Sequence, residues 1–251
     1  MRYIFILLLF CNLYSVLFAQ TVKFNSDSAI IYYSKGKYEE AIKIYEKIIS
    51  SGYESPEVYY NLANSYYKSN KLSSSILNYE RAKILAPNDE DINFNLELAR
   101  KHVVDKIDVL PSLFIKSWYD RFISSKSTNS WAYISIFIFI LFLLLFSGYL
   151  FFTTILLRKI SFASGVIVLI ISVLTFIFSY QQKEAIENHN SAIIFTSTVN
   201  VKSSPDDKGT DIFVLHEGTK VIVRDAVDNW KEIKLSDGNI GWIKSSDIVM
   251  I

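Results

Sequence analysis

The sequence predicts a multidomain membrane protein with three parts: an all-α helical repeat, a transmembrane helical hairpin and a small all-β barrel. Three observations carry this. A 34-residue periodicity of small and aromatic residues runs through the N-terminal part of the chain. Two uncharged apolar runs occupy the middle, and the C-terminal part breaks into short β-rich segments separated by glycines and an Asp-Gly pair. Of the 251 residues, 51% are hydrophobic and 20% are charged, below the roughly 25% of a soluble domain. The net charge of +1 argues against a basic nucleic-acid binder. One Cys and three His exclude Cys₂His₂ and Cys₄ zinc sites and a disulfide framework.

The chain opens with Met1-Arg2, an apolar run from Ile4 to Phe10, and Leu17-Phe18-Ala19 before Gln20. That order predicts a secretory signal peptide over residues 1–19, with an uncleaved signal anchor as the alternative. Leu8-Leu9-Phe10-Cys11 has the outline of a lipobox, but bulky Phe10 stands where a small residue is needed. Cleavage after Ala19 leaves a mature chain without cysteine.

Residues 20–107 form the repeat domain. Ala29 and Ala63, Tyr32 and Tyr66, Tyr33 and Tyr67, Gly36 and Asn70, Ala41 and Ser75, and Tyr45 and Tyr79 are each 34 residues apart. The small residues let helices approach, and the rings at Tyr32, Tyr45, Tyr66 and Tyr79 fill the space around them. Ile48 and Tyr53 depart from the pattern in the first repeat. Asp91 to Lys106 carries Ile92, Leu96, Ala99 and Val103 at helical spacing, continued by Ile107 just beyond, which predicts a capping helix over the open end of the stack. The stretch Tyr59 to Lys68 with Tyr79, Ala82 and Pro87 resembles a tetratricopeptide repeat. That resemblance implies a concave partner-binding surface carrying Tyr33, Tyr60, Asn64, Tyr67 and Lys68. Rings, an amide and an ammonium suit an extended peptide. Asn64 matches the Asn of carboxylate-clamp versions, but Leu98 stands at the next equivalent position, so a C-terminal carboxylate ligand is unsupported.

Residues 108–130 are a juxtamembrane segment. Leu113, Phe114, Trp118 and Phe122 share one helical face, with Lys116, Arg121 and Lys126 around them. This favours a helix lying in the membrane interface over a plain extension of the spanning helix. Residues 131–182 hold two spans. Trp131 to Phe152 covers ~33 Å as a helix, enough for a ~30 Å hydrocarbon core. Ile160 to Tyr180 is the second, with Arg158-Lys159 expected in the turn between them. Trp131, Tyr133 and Tyr180 suit the water interfaces, and Ser161-x-x-x-Gly165 permits close approach, against Ser147-Gly148. Neither span holds an ionisable residue, so the hairpin reads as an anchor in the lipid bilayer rather than a transport path. Basic flanks leave orientation ambiguous. A secretory N-terminus followed by two spans puts both flanking domains outside the cytoplasm.

Residues 183–191 read as a linker and 192–251 as the barrel. Expected strands are Ile193–Phe195, Val199–Lys202, Ile212–Leu215, Lys220–Arg224, Trp230–Leu235 and Ile240–Ile243. Asp237-Gly238 marks a hairpin. Val199 to Pro205, Gly218 to Val221, Trp230, Leu235 to Gly238 and Gly241-Trp242-Ile243 resemble a bacterial SH3 domain, with Lys202 where Arg is commoner. Trp230 and Trp242 are either core fillers or part of a ligand groove. The resemblance implies binding to cell-wall peptides or proteins.

The sequence has no Gly-x-Ser-x-Gly, phosphate loop or Gly-x-Gly-x-x-Gly, and its His102, His189 and His216 fall in separate segments as solvated side chains. No enzyme activity, cofactor or metal is expected. The domain order, together with Asn88 to Arg100, resembles the Bacteroides aerotolerance family across essentially the whole chain. That resemblance implies a two-pass protein of the bacterial inner membrane, with repeat and barrel in the periplasm. It also implies partner proteins with von Willebrand A domains and, indirectly, a MoxR-type ATPase. The expected function is a membrane-anchored adaptor gripping a partner through the repeats. The alternative is an envelope sensor or tether that binds peptidoglycan through the barrel.

Overall fold

The computed structural model describes residues 26–107, 114–187 and 190–251, so the signal-peptide and lipobox readings lie outside the described residues. The helical repeat and the barrel belong to one compact unit, and residues 111–189 to a second.

In the first unit, α1 (26–34) and α2 (Tyr38–Ser50) form one helical pair, and α3 (Pro56–Lys68) and α4 (Leu72–Leu85) the next. The repeat shows at each joint. Ser55 and Asp89 stand 34 residues apart; each caps a helix start, accepting from Val58 N at 3.2 Å and Ile92 N at 3.0 Å. Gly36 (φ 73°) and Asn70 (φ 58°), also one period apart, make the left-handed turn between the helices of a pair. Ala29, Ala41, Ala63, Ser75, Tyr45 and Tyr79 are all fully or almost fully buried. Ser75 replaces an alanine without leaving a bare hydroxyl, because its Oγ donates to Ala63 O at 2.9 Å. Tyr32 does not fill the core as expected; it is exposed at the outer side of α1.

The capping helix is shorter than its periodicity predicts. α5 runs from Glu90 to Arg100, and the chain then turns. Val103 is nevertheless buried, and Ile107 packs on the barrel core. The end of the stack is closed by the barrel as well as by α5. Ile193, fully buried, joins Ala63, Ile76, Leu77, Tyr79, Leu96, Ala99 and Val103 in one apolar cluster.

The barrel is one antiparallel sheet in the order β3-β2-β6-β5-β4-β1-β7. Its strands are β1 (Ser191–Ile194), β2 (Thr198–Lys202), β3 (Asp211–His216), β4 (Lys220–Val227), β5 (Trp230–Lys234), β6 (Ile240–Lys244) and β7 (Ile248–Met250). The sequence reading missed β7, which follows a single 3₁₀ turn and pairs with β1. Alternation aims Val199, Val201, Leu215, Val221, Ile233 and Ile243 inward. β1 is buried on both faces: Ala192 and Ile194 enter the barrel core, while Ile193 enters the helical core. Gly241 is required by close approach, since a Cβ there would lie 2.4 Å from Val201 Cγ1.

In the second unit, α6 (Phe114–Ile123) precedes two long apolar helices, α7 (Thr128–Phe151) and α8 (Ile155–Glu187), which are long and apolar enough to cross a membrane. The turn between them lies at residues 152–154, so Arg158 and Lys159 sit in the first turns of α8 rather than in the connection. α8 also absorbs most of the expected linker. A hydroxyl seam joins the pair: Ser135 Oγ donates to Ser172 O at 3.0 Å, Ser172 Oγ to Ser135 O at 3.1 Å, and Ser179 Oγ to Thr128 O at 3.0 Å. Gly148 lies against Ser161, as the small-residue spacing predicts, whereas Gly165 faces Leu145 and Phe142.

Candidate functional site

The five residues expected on the concave face fall on α1 and α3, and hydrogen bonds tie three of them to α4, α5 and the turn after α5. Tyr60 Oη accepts from Asn95 Nδ2 of α5 at 3.0 Å. Tyr79 Oη of α4 donates to Asn64 Oδ1 at 2.5 Å. Tyr67 Oη lies 3.0 Å from His102 Nε2, with the two rings tilted and 5.9 Å apart. Tyr33 is half-buried, its ring edge-on to Tyr38 at 5.3 Å. Burial, then the neighbouring Tyr38 and Tyr60 phenols, raise its pKa. Burial also pushes the Tyr79 phenol up, with Tyr60, Tyr33 and Tyr67 adding to it. These two phenols therefore stay protonated at neutral pH, and that of Tyr79 acts as a donor. Asn64 has committed its carbonyl oxygen to Tyr79, which leaves its amide N–H pair as remaining capacity.

A cavity of about 340 Å³ opens at one end of this face, lined by Tyr67, Lys68, Asn70, Leu72 and His102. His102 is thus part of the surface and not an isolated solvated side chain. The sequence reading gave Asn95 no role and took His102 as solvated, although each stands 35 residues after the tyrosine it meets. The arrangement offers rings, neutral donors and one exposed ammonium. It suits holding a peptide. Among the described residues, no group of His, Cys, Asp and Glu is placed to hold a metal ion.

Polar contacts also lock the barrel to the repeats. Glu80, 2% exposed, accepts from Arg100 and, at 2.8 Å, from Lys220 Nζ. Burial works against its ionisation, but Lys220 and Arg100 outweigh that and hold its carboxyl below the usual range. Asp105 accepts from Thr219 Oγ1 at 2.7 Å and His216 N at 2.7 Å, with His216 Nδ1 at 2.8 Å. Its partial burial is likewise overcome by these bonds, and its pKa is lowered. His216 therefore has a structural partner, contrary to its reading as solvated. Gly218, at φ 84°, brings this turn so close that a Cβ would meet Val103 Cγ2 at 3.1 Å and Ile76 Cδ1 at 3.2 Å.

Trp230 and Trp242 are not core fillers. Register pairs Trp230 with Lys244, Glu232 with Trp242, and Trp242 with Lys202, so all share the outer face, opposite Ile233 and Ile243. Both rings are half-buried. Lys244 sits 5.5 Å from the Trp230 ring centre, and Lys202 pins the β2–β3 loop through Asp211 and Gly209 O. Among the described residues, the repeats contact the barrel through β1, β7 and the β3–β4 turn, which leaves this tryptophan face clear of them.

Comparison with known families finds matches in both the helical stack and the barrel. Residues 29–70 match a TPR repeat, residues 56–89 a tetratricopeptide repeat, and residues 197–249 a bacterial SH3 domain. No curated protein matches the chain. The N-terminal stack is a tetratricopeptide array and the C-terminal barrel a bacterial SH3 domain, both of them as a rule non-catalytic interaction modules.

Proposed function

We propose that this chain is a non-enzymatic, two-pass adaptor of the bacterial inner membrane. Its repeats grip a segment of a partner protein at the periplasmic membrane surface. The observation that carries this is the concave face itself: Tyr60, Asn64 and Tyr67 are pre-positioned by Asn95, Tyr79 and His102, and Tyr67 and Lys68 line the cavity at its end. Preorganisation of this kind lowers the ordering cost of peptide binding. The shared core of repeat and barrel supports the two-pass topology, because both ends of the hairpin lead into one folded unit and must lie on one side. The domain order favours the BatE type of the aerotolerance family, with partners that carry von Willebrand A domains and, through them, a MoxR-type ATPase.

The test is affinity purification of the full chain from mild-detergent membranes, compared with an Asn64→Ala/Tyr67→Ala variant. Recovery of von Willebrand A proteins with the parent chain, lost in the variant at equal membrane insertion, supports the adaptor. Equal recovery from both overturns the concave face as the grip.

The clear tryptophan face favours a second reading, a tether to peptidoglycan through Trp230 and Trp242. Because the barrel shares its core with the repeats, the full chain is the proper reagent. Co-sedimentation with purified sacculi, lost in Trp230→Ala/Trp242→Ala, supports the tether, and absence of sedimentation counts against it.

A further inference from the structure

α6 leaves a stripe of large rings uncovered. Phe114, Trp118 and Phe122, spaced four apart, are 84%, 58% and 43% exposed. α6 is not an extension of α7. Residues 124–126 separate the two, and Ser127 caps α7 by accepting from Ser130 N at 3.2 Å. α6 is instead clamped to the end of the hairpin. Trp131 Nε1 donates to Ile123 O at 2.8 Å, and both side chains are buried. The Phe122 ring stands 5.7 Å from that of Trp131 and 5.8 Å from that of Phe178, while Tyr119 Oη donates to Gln181 Oε1 at 2.7 Å.

The clamp fixes a depth. Trp131 to Phe151 of α7 spans ~31 Å, the thickness of a hydrocarbon core. Trp131 and Phe178 therefore mark one edge of the apolar band, and rings held against them sit at that edge. Exposed Arg121 and Lys126 flank the rings, as suits phosphate headgroups. We propose that α6 lies in the boundary between headgroups and acyl chains of the leaflet that Trp131 faces, with Phe114, Trp118 and Phe122 inserted into lipid. This rests on the reading that α7 and α8 span the bilayer.

The test places a single thiol in the full chain. Cys11→Ser is combined with Trp118→Cys, labelled with bimane, and reconstituted in phosphatidylcholine–phosphatidylglycerol vesicles. Phospholipids carrying a nitroxide near the headgroup or near the chain end then quench the probe, and iodide quenches from water. Phe137→Cys, on a residue 72% exposed in mid-helix, is the deep reference. Asp207→Cys, on a side chain 75% exposed, is the aqueous one. The Trp118 probe is expected to be quenched about twofold or more better by the shallow nitroxide than by the deep one, and to be shielded from iodide. Iodide quenching equal to that at Asp207, or shielding from iodide and both nitroxides as under a protein partner, overturns the proposal. So does deep quenching equal to that at Phe137. Failure of the deep nitroxide to reach Phe137 instead overturns the spanning reading on which the proposal rests. Phe114→Cys gives the same readout should the Trp118 variant fail to insert.

Discussion

Glu46 and Glu80 occupy the same place in successive repeats but hold different partners. Glu46, on the surface, accepts from the Tyr66 hydroxyl. Glu80 accepts from Arg100, which stands one period beyond Tyr66, and also from Lys220 of the barrel. The repeat geometry thus supplies a bridging carboxylate at each step. Where the barrel lands on it, a surface hydrogen bond becomes an ionic triad centred on a buried carboxylate. The first repeat keeps its helices together by packing, whereas the second is closed by a domain encoded far along the chain.

Glu80→Ala leaves Arg100 and Lys220 without their shared anion, and because both are partly exposed the expected cost is about 2–4 kcal/mol. Glu46→Ala removes one exposed hydrogen bond and should cost under about 1 kcal/mol. Denaturant unfolding of the two variants in detergent measures the contrast, and equal losses would erase it. Gly218→Ala tests the same seam sterically: a positive φ and two close side chains should cost about 2 kcal/mol in that assay.

The pH response is a finer probe. Asp105 and Glu80 both have depressed pKa values in the folded state. Their contribution is therefore complete above the ordinary carboxylate range and is lost as pH falls through about 4 and below. A thermal unfolding series should show stability falling on that acid side, with a shallower fall in Asp105→Asn. The smallest effect is expected in the turns of the stack: Gly36→Ala should cost about 1 kcal/mol, while Asn70→Gly changes stability by under about 0.5 kcal/mol, since Asn tolerates the left-handed region almost as well.

Much of the stack was legible because its contacts are local. Ala29, Ala63, Tyr45 and Tyr79 recur at a fixed step, and that step fixes which residues face the core. Barrel strands such as Val199-Asn200-Val201-Lys202 were legible from alternation. The seam between them was not, because no periodicity links Asp105 to His216 or Glu80 to Lys220 across the hairpin. One signal was available: Ala192-Ile193-Ile194-Phe195 is apolar on both faces, as only a strand covered on both sides needs to be. The concave face was legible only in part. Tyr60, Asn64 and Tyr67 followed from the repeat position, but Asn95 and His102, which orient two of them, come from a segment read as a mere cap, Asn95 on α5 and His102 in the turn after it. Trp230 and Trp242 depend on register, which runs of apolar residues do not specify.

The inserted hairpin also orders events during synthesis. Ile76, Leu77 and Val103 leave the ribosome well before Ile193, which covers them, and both apolar helices are made in between. That end of the repeats must therefore wait for its cover while the two apolar helices are made. A chain halted after α8 presents that end to chaperones and proteases. Completion of the shared core reports that both apolar helices have been made.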